Sequence, residues 1–149
     1  MSADPIQPPA ADLEQALSAM TYEVLPGRFA LVGFAAPPQP EDLELLEGAP
    51  GQLVREGGET SLLLARERLA ACRERHADAQ VESDLVWIRF RAPMGWEVVG
   101  FLARVTGALA AAGVPLGAVC GFSRDHLFLN ERHLEAATRV LDELLPLQD

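Results

Sequence analysis

Residues 85–129 read LVWIRFRAPMGWEVVGFLARVTGALAAAGVPLGAVCGFSRDHLFL, and the fold follows from how this stretch alternates and repeats. Leu85 to Arg91 alternates. Val86, Ile88 and Phe90 fall on one face, and Trp87, Arg89 and Arg91 on the other, as in a half-buried strand of an antiparallel or mixed sheet. Pro93 to Glu97 is a turn. Val98, Phe101, Leu102, Val105, Leu109 and Ala112 then recur at helical spacing, which predicts an amphipathic helix. Gly113 suits the residue after that helix, and Pro115 prevents its continuation. Leu116 to Phe122 and Leu127 to Leu129 read as strands, with Ser123 to His126 turning between them. Asn130 can cap a last helix that carries Leu134, Ala137, Leu141 and Leu144 inward. Glu135 and Arg139 form an outward i,i+4 pair on it. The order is strand, helix, strand, strand, helix. One more strand would complete βαββαβ, and none follows Leu145, so the other half of the chain is its candidate source.

Upstream, Asp12 to Met20 reads as a short helix with Asp12 as N-cap. Glu23 to Leu25 and Phe29 to Ala35 flank Pro26-Gly27 and predict a hairpin. Glu41 to Leu46 allows only a short helix. Gln52 to Arg55 and Thr60 to Leu64 flank Gly57-Gly58 as a second hairpin, and Arg66 to His76 reads as a helix. The halves resemble each other. Phe34-Ala35-Ala36-Pro37 matches Phe90-Arg91-Ala92-Pro93, and Leu62 to Ala71 matches Leu127 to Ala136. The pattern is a duplication whose first copy has a shrunken first helix. It divides the chain into a flexible tail (1–11), a first unit (12–80) and a second (81–149).

Composition limits function. The 149 residues carry a net charge of −10, which argues against nucleic acid as partner, since phosphates need a basic surface. Every basic side chain is arginine, so lysine Schiff-base and P-loop chemistry are excluded. No apolar run approaches the ~20 residues of a membrane helix, and the first residues lack a signal-peptide pattern. The expectation is a cytoplasmic protein with no membrane partner. Cys72 and Cys120 have no metal-type spacing and are expected as reduced, buried thiols. No nucleophile elbow, zinc motif or paired-carboxylate signature is present. No catalytic residue, metal site or cofactor is expected, and the protein is read as not an enzyme.

Val98-Val99-Gly100-Phe101-Leu102 through Ala112-Gly113-Val114-Pro115, followed by Gly121-Phe122-Ser123-Arg124-Asp125-His126 and an apolar strand, resembles the second half of small bacterial tandem ACT-domain proteins. Glu59 to Leu64 resembles the acidic-Ser-apolar strand of their first unit. The resemblance spans about Tyr22 to Leu145, and its specific part is Gly100 to Leu129. It extends to the ACT pairs of aspartate kinases and to the arginine-sensing CASTOR proteins. It implies an α+β fold of two tandem ferredoxin-like units. It also implies amino-acid binding where units meet, with backbone N–H groups of the strand-to-helix loop holding the ligand carboxylate. Carried over, the loop is Met94, Gly95, Trp96, Glu97, Val98, Val99 and Gly100, and the strand-end positions are Gly121, Phe122 and Asp125. The chain departs from the family at Gly121-Phe122-Ser123, where hydroxyl-bearing residues are commoner, and at the bulky Trp96.

Each of these residues also has a plain structural reading. Every helix start offers free N–H groups, and Glu97 is a favourable first-turn charge. Asp125 suits a turn as well as an amine contact. Trp96 fits a core or interface as well as a ligand. His76 is expected in solvent at its helix end. Two functions follow. One is a non-enzymatic sensor for a small amino-acid-like ligand. The other is an interaction module with no ligand, as a homodimer or docked on a partner enzyme or transporter.

Overall fold

A computed structural model describes residues 12–146; the tail expected at 1–11 lies outside them. The described chain is α+β, with antiparallel strand pairs and helices, and it divides into two compact units. One comprises residues 26–87. The other joins residues 12–25 to 88–146.

In the 26–87 unit the order is β2 (Phe29–Phe34), α2 (Pro40–Glu44), β3 (Gln52–Glu56), β4 (Glu59–Ala65), α3 (Leu69–Arg75) and the first part of β5 (Gln80–Phe90). A single 3-10 turn, Arg66–Arg68, leads into α3. The β3–β4 hairpin turns at Gly57-Gly58 as the sequence predicts, pairing Gln52 with Leu63 and Glu56 with Glu59. β4 pairs with β2, and β2 with β5, all antiparallel. Ala30, Val32, Phe34, Leu45, Leu62, Leu64 and Cys72 form the core, each an apolar side chain at the inward period of its element. Cys72 is buried, as expected.

The other unit runs α1 (Leu13–Ala19), β1 (Tyr22–Val24), the end of β5, α4 (Phe101–Ala111), β6 (Gly117–Cys120), β7 (Asp125–Asn130) and α5 (Leu134–Leu144). Asp12 caps α1, its side chain accepting from Gln15 N–H at 2.8 Å. Asn130 caps the turn before α5 by accepting from Arg132 N–H. Gly113 takes φ +73 after α4, the left-handed end that glycine allows. Glu135 and Arg139 pair on α5 at 3.3 Å. Ile88, Phe90, Phe101, Val105, Leu109, Leu127, Leu129, Ala137, Leu141 and Leu145 are buried. Phe90 and Phe101 meet edge to face, with ring centroids 5.1 Å apart.

Five expectations change. The Pro26-Gly27 hairpin does not form, because β1 pairs with the end of β5 instead (Tyr22 with Phe90, Val24 with Ile88). β1 thereby supplies the strand missing after Leu145, and the division falls at 25/26 and 87/88 rather than at 80/81. Trp87, expected on an exposed face, is buried against Phe29 at 5.1 Å. His76 is buried rather than solvated, stacked on Phe34 at 3.6 Å. Cys120 is exposed, because a four-residue strand in front of an open turn covers one face only.

Phe90 is fully buried and touches Phe101. Phe90→Ala should lower unfolding free energy by about 3–5 kcal/mol, as large-to-small aromatic core changes do, read as the urea midpoint at unchanged slope.

Candidate functional site

The candidate site lies in the β1/α4/α5 unit, at the head of α4. The helix begins three residues later than the apolar spacing suggests. Gly100 takes φ +97, so Val98 and Val99 stay outside. That left-handed conformation is one a side chain rarely adopts. As a glycine N-cap it offers no side-chain acceptor, so the first N–H groups of α4 are left for another partner. Across from it, Gly121 N–H donates to the Arg124 carbonyl at 2.9 Å and shapes the β6–β7 turn. Met94 N–H donates to the Ser123 carbonyl at 3.2 Å and ties the loop to that turn.

Between loop, helix and turn is a cavity of about 310 Å³. That is the low end of the ~300–1,000 Å³ usual for ligand pockets. Met94, Gly95, Trp96, Val98, Gly100, Gly121, Phe122 and Asp125 line it, all residues singled out from the sequence. Glu97 and Val99 do not: the Glu97 carboxylate folds over Gly95, and Val99 faces solvent. Phe101, Leu102, Ala103, Cys120, Ser123 and Arg124 also line it and were not expected. The first three belong to the first turn of α4, which could be found only by placing the helix start at Gly100. Trp96 and Phe122 are 90% and 103% exposed at the rim, and Val99 is 82% exposed. Trp96 is thus neither a core residue nor a lid over the cavity.

The charged groups here are few. Arg124 donates from Nε to the Arg91 carbonyl at 2.7 Å. Asp125 lies directly across from Cys120 in the β6–β7 ladder. Partial burial, then the Asp125 carboxylate, pushes the Cys120 thiol up, so it is not an activated thiolate. His126 is held below the ordinary imidazole range, by burial first and then by Arg89 and Arg124 against the opposing pull of Asp125. Asp125 and His126 therefore form no charged pair at neutral pH. Among the described residues no group of three or more His, Cys, Asp or Glu is placed to hold a metal ion.

The head of α2, in the other unit, is filled from within the chain. Asp42, at 0% exposure, accepts from Gln39 N–H at 2.8 Å, from Arg75 Nε at 2.9 Å and bonds His76 Nε2 at 2.7 Å. The Ala35 and Ala36 carbonyls accept from Arg55, and Ala35 N–H donates to Asp78. Side chains from β3 and from the segment after α3 thus bond the backbone of the loop that corresponds to 91–100. Asp42 is the third residue of α2; the third residue of α4 is Ala103.

Residues 80–143 match the ACT domain family model. That stretch is similar to the ACT domain. Solved structures share its fold beyond that stretch. A structural-genomics protein from Agrobacterium tumefaciens is 19% identical, with 84% of this chain and 88% of that one covered at a TM-score of 0.71. A Vibrio cholerae protein of unknown function, described as a possible transport protein, is 24% identical over 87% of this chain and 92% of that one, at 0.65. The ligand-free regulatory subunit of aspartate kinase from Thermus thermophilus is 14% identical over 87% and 98%, at 0.59. No curated protein sequence matches. The resemblance read from Gly100 to Leu129 agrees with the family match, and the solved structures of the same fold include regulatory subunits of aspartate kinase. No helix among the described residues is long and apolar enough to cross a membrane.

Burial raises the Asp42 carboxyl, but hydrogen bonds from Arg75, Gln39 N–H and His76 outweigh it and hold it at about 2. Its folded pKa is below its unfolded one, so its stabilisation is complete above about pH 4 and is lost as pH falls toward 2. Asp42→Ala, which leaves the buried His76 and the Gln39 N–H without their acceptor, should cost about 1–3 kcal/mol and flatten the acid limb of a stability-against-pH curve.

Proposed function

We propose that the protein is a non-enzymatic regulatory module of two ferredoxin-like ACT units, and that it binds one small amino-acid-like ligand per chain in the cavity at the head of α4. The observation that carries this reading is the contrast between the two helix heads. α4 opens with no side-chain cap onto a cavity of about 310 Å³. α2 opens onto its own buried Asp42 carboxylate. A carboxylate at the head of α4 would receive the free N–H groups and the positive end of the helix dipole. Asp125, on the opposite wall, suits the ligand amine. The family match and the regulatory aspartate kinase subunits of the same fold support a regulatory role.

A ligand acts by favouring one arrangement over another, and can shift an equilibrium only by its difference in affinity for the two. The exposed rim of Trp96 and Phe122 suggests what changes. Exposed apolar groups clustered around one opening mark an interaction surface. We read the rim as the contact for a second copy, which would cover the cavity and place the ligand at a junction between units of a homodimer. The second reading keeps the interface and drops the ligand: the rim docks a second copy, or a partner enzyme or transporter, and the cavity stays empty.

Thermal unfolding against a panel of amino acids separates the two. At a ligand concentration ~100-fold above Kd the folded state gains about 2.7 kcal/mol. The sensor reading expects a raised midpoint with one class of amino acid, absent in Asp125→Asn and kept in Asp42→Asn. A flat response across the panel, with a dimer that Trp96→Ala dissociates, selects the interaction reading.

A further inference from the structure

We infer that the cavity selects an amino acid with an acidic side chain, and that Arg124 reads that side chain. This rests on the amino-acid-binding reading above and adds the ligand class.

Arg124 lines the cavity from the β6–β7 turn. Its Nε is committed to the Arg91 carbonyl. That bond fixes one edge of a planar guanidinium. Its two Nη groups have no hydrogen-bond or ion-pair partner among the described residues. The other arginines near the site differ. Arg89 and Arg91 are both paired to Glu23, from the adjacent strand β1. Glu97, the acidic residue of the loop, lies over Gly95 rather than on Arg124.

The zwitterionic part of any α-amino acid is already matched without Arg124. The helix head takes the carboxylate, and Asp125 takes the amine. Arg124 is then a surplus positive charge with a fork suited to a second carboxylate. The rest of the lining is mostly apolar or glycine: Met94, Val98, Phe101, Leu102, Ala103 and Phe122. An aliphatic side chain would fill the space but leave the guanidinium unused. A cationic side chain would meet Arg124 at close range. A simple dianion without an amine, such as inorganic phosphate, would face the Asp125 carboxylate with nothing to offset it. An acidic amino acid alone among these satisfies both charged side chains and the helix head together.

The test uses the full chain and isothermal titration with L-aspartate, L-glutamate, their amides L-asparagine and L-glutamine, and L-leucine. The amides preserve shape and remove the charge. We expect one acidic amino acid to bind about tenfold more tightly than its amide, a difference of ~1.4 kcal/mol. Arg124→Gln should bring that pair to within about twofold while leaving the amide's own affinity unchanged, and Arg124→Lys should restore part of the gap. Arg124 is exposed, so neither change threatens folding, and the urea midpoint checks this. Amides or leucine binding as well as the acids would overturn the acidic class and leave the sensor reading standing. An acid preference that survives in Arg124→Gln would overturn the role of Arg124. No heat with any of the five would overturn both.

Discussion

The backbone hydrogen bonds between Tyr22–Val24 and Ile88–Phe90 are the constraint on which the unit that holds the cavity depends. Among the described residues no strand follows α5, and an unfilled position beside the end of β5 would expose a row of unpaired N–H and C=O groups. Three residues from far upstream fill it. Side chains reinforce the pairing: Glu23 bridges Arg89 and Arg91 across the ladder, and the Tyr22 hydroxyl donates to Asp142 of α5 at 2.6 Å. The end of β5 leads directly into the 91–100 loop. Whatever holds β5 therefore also sets where the loop and the head of α4 begin.

The two helix heads show how one topology yields a closed end and an open one. In the 26–87 unit a short helix brings Asp42 at its third position onto its own first turn, and α3 delivers Arg75 and His76 to the same carboxylate. A buried charge is tolerated only with such partners. In the other unit the third position is Ala103, the loop is longer, and Gly100 replaces a capping side chain. A ten-residue loop with Gly95 and Gly100 cannot saturate its own helix start, and the space that results is the cavity. One helix head holds a carboxylate of its own chain, and the other opens onto a cavity.

Much of this was legible in the sequence where the physics is local. The offset of 65 residues between Leu62 and Leu127 placed β4 on β7, and the short turns before α3 and α5 fall at the same offset. Gly113, Asn130 and Asp12 behaved as terminators and caps because capping is decided within a few residues. Most of the cavity lining was visible through the family pattern. What was not legible depended on pairing over long distances. Pro26-Gly27 is a sound hairpin signal, yet β1 found the end of β5 across some 65 residues, and no local rule reports that. His76 looked solvated because nothing near it in sequence announces Asp42. Arg124 was passed over because a turn arginine has no meaning until a cavity is seen beside it. Val98 and Val99 mimic the helical period, and only the left-handed Gly100 excludes them.

In the reading proposed above, one helix head in each chain receives a ligand and the other does not. Backbone amide chemical shifts, followed by two-dimensional NMR during addition of the amino acid that raises the unfolding midpoint, test it most directly. The account predicts saturable shifts at Gly100 to Ala103 and at Gly121 to Asp125, with Gln39 to Leu43 unmoved. Shifts centred on Gln39 to Leu43, or spread evenly over both heads, would contradict it.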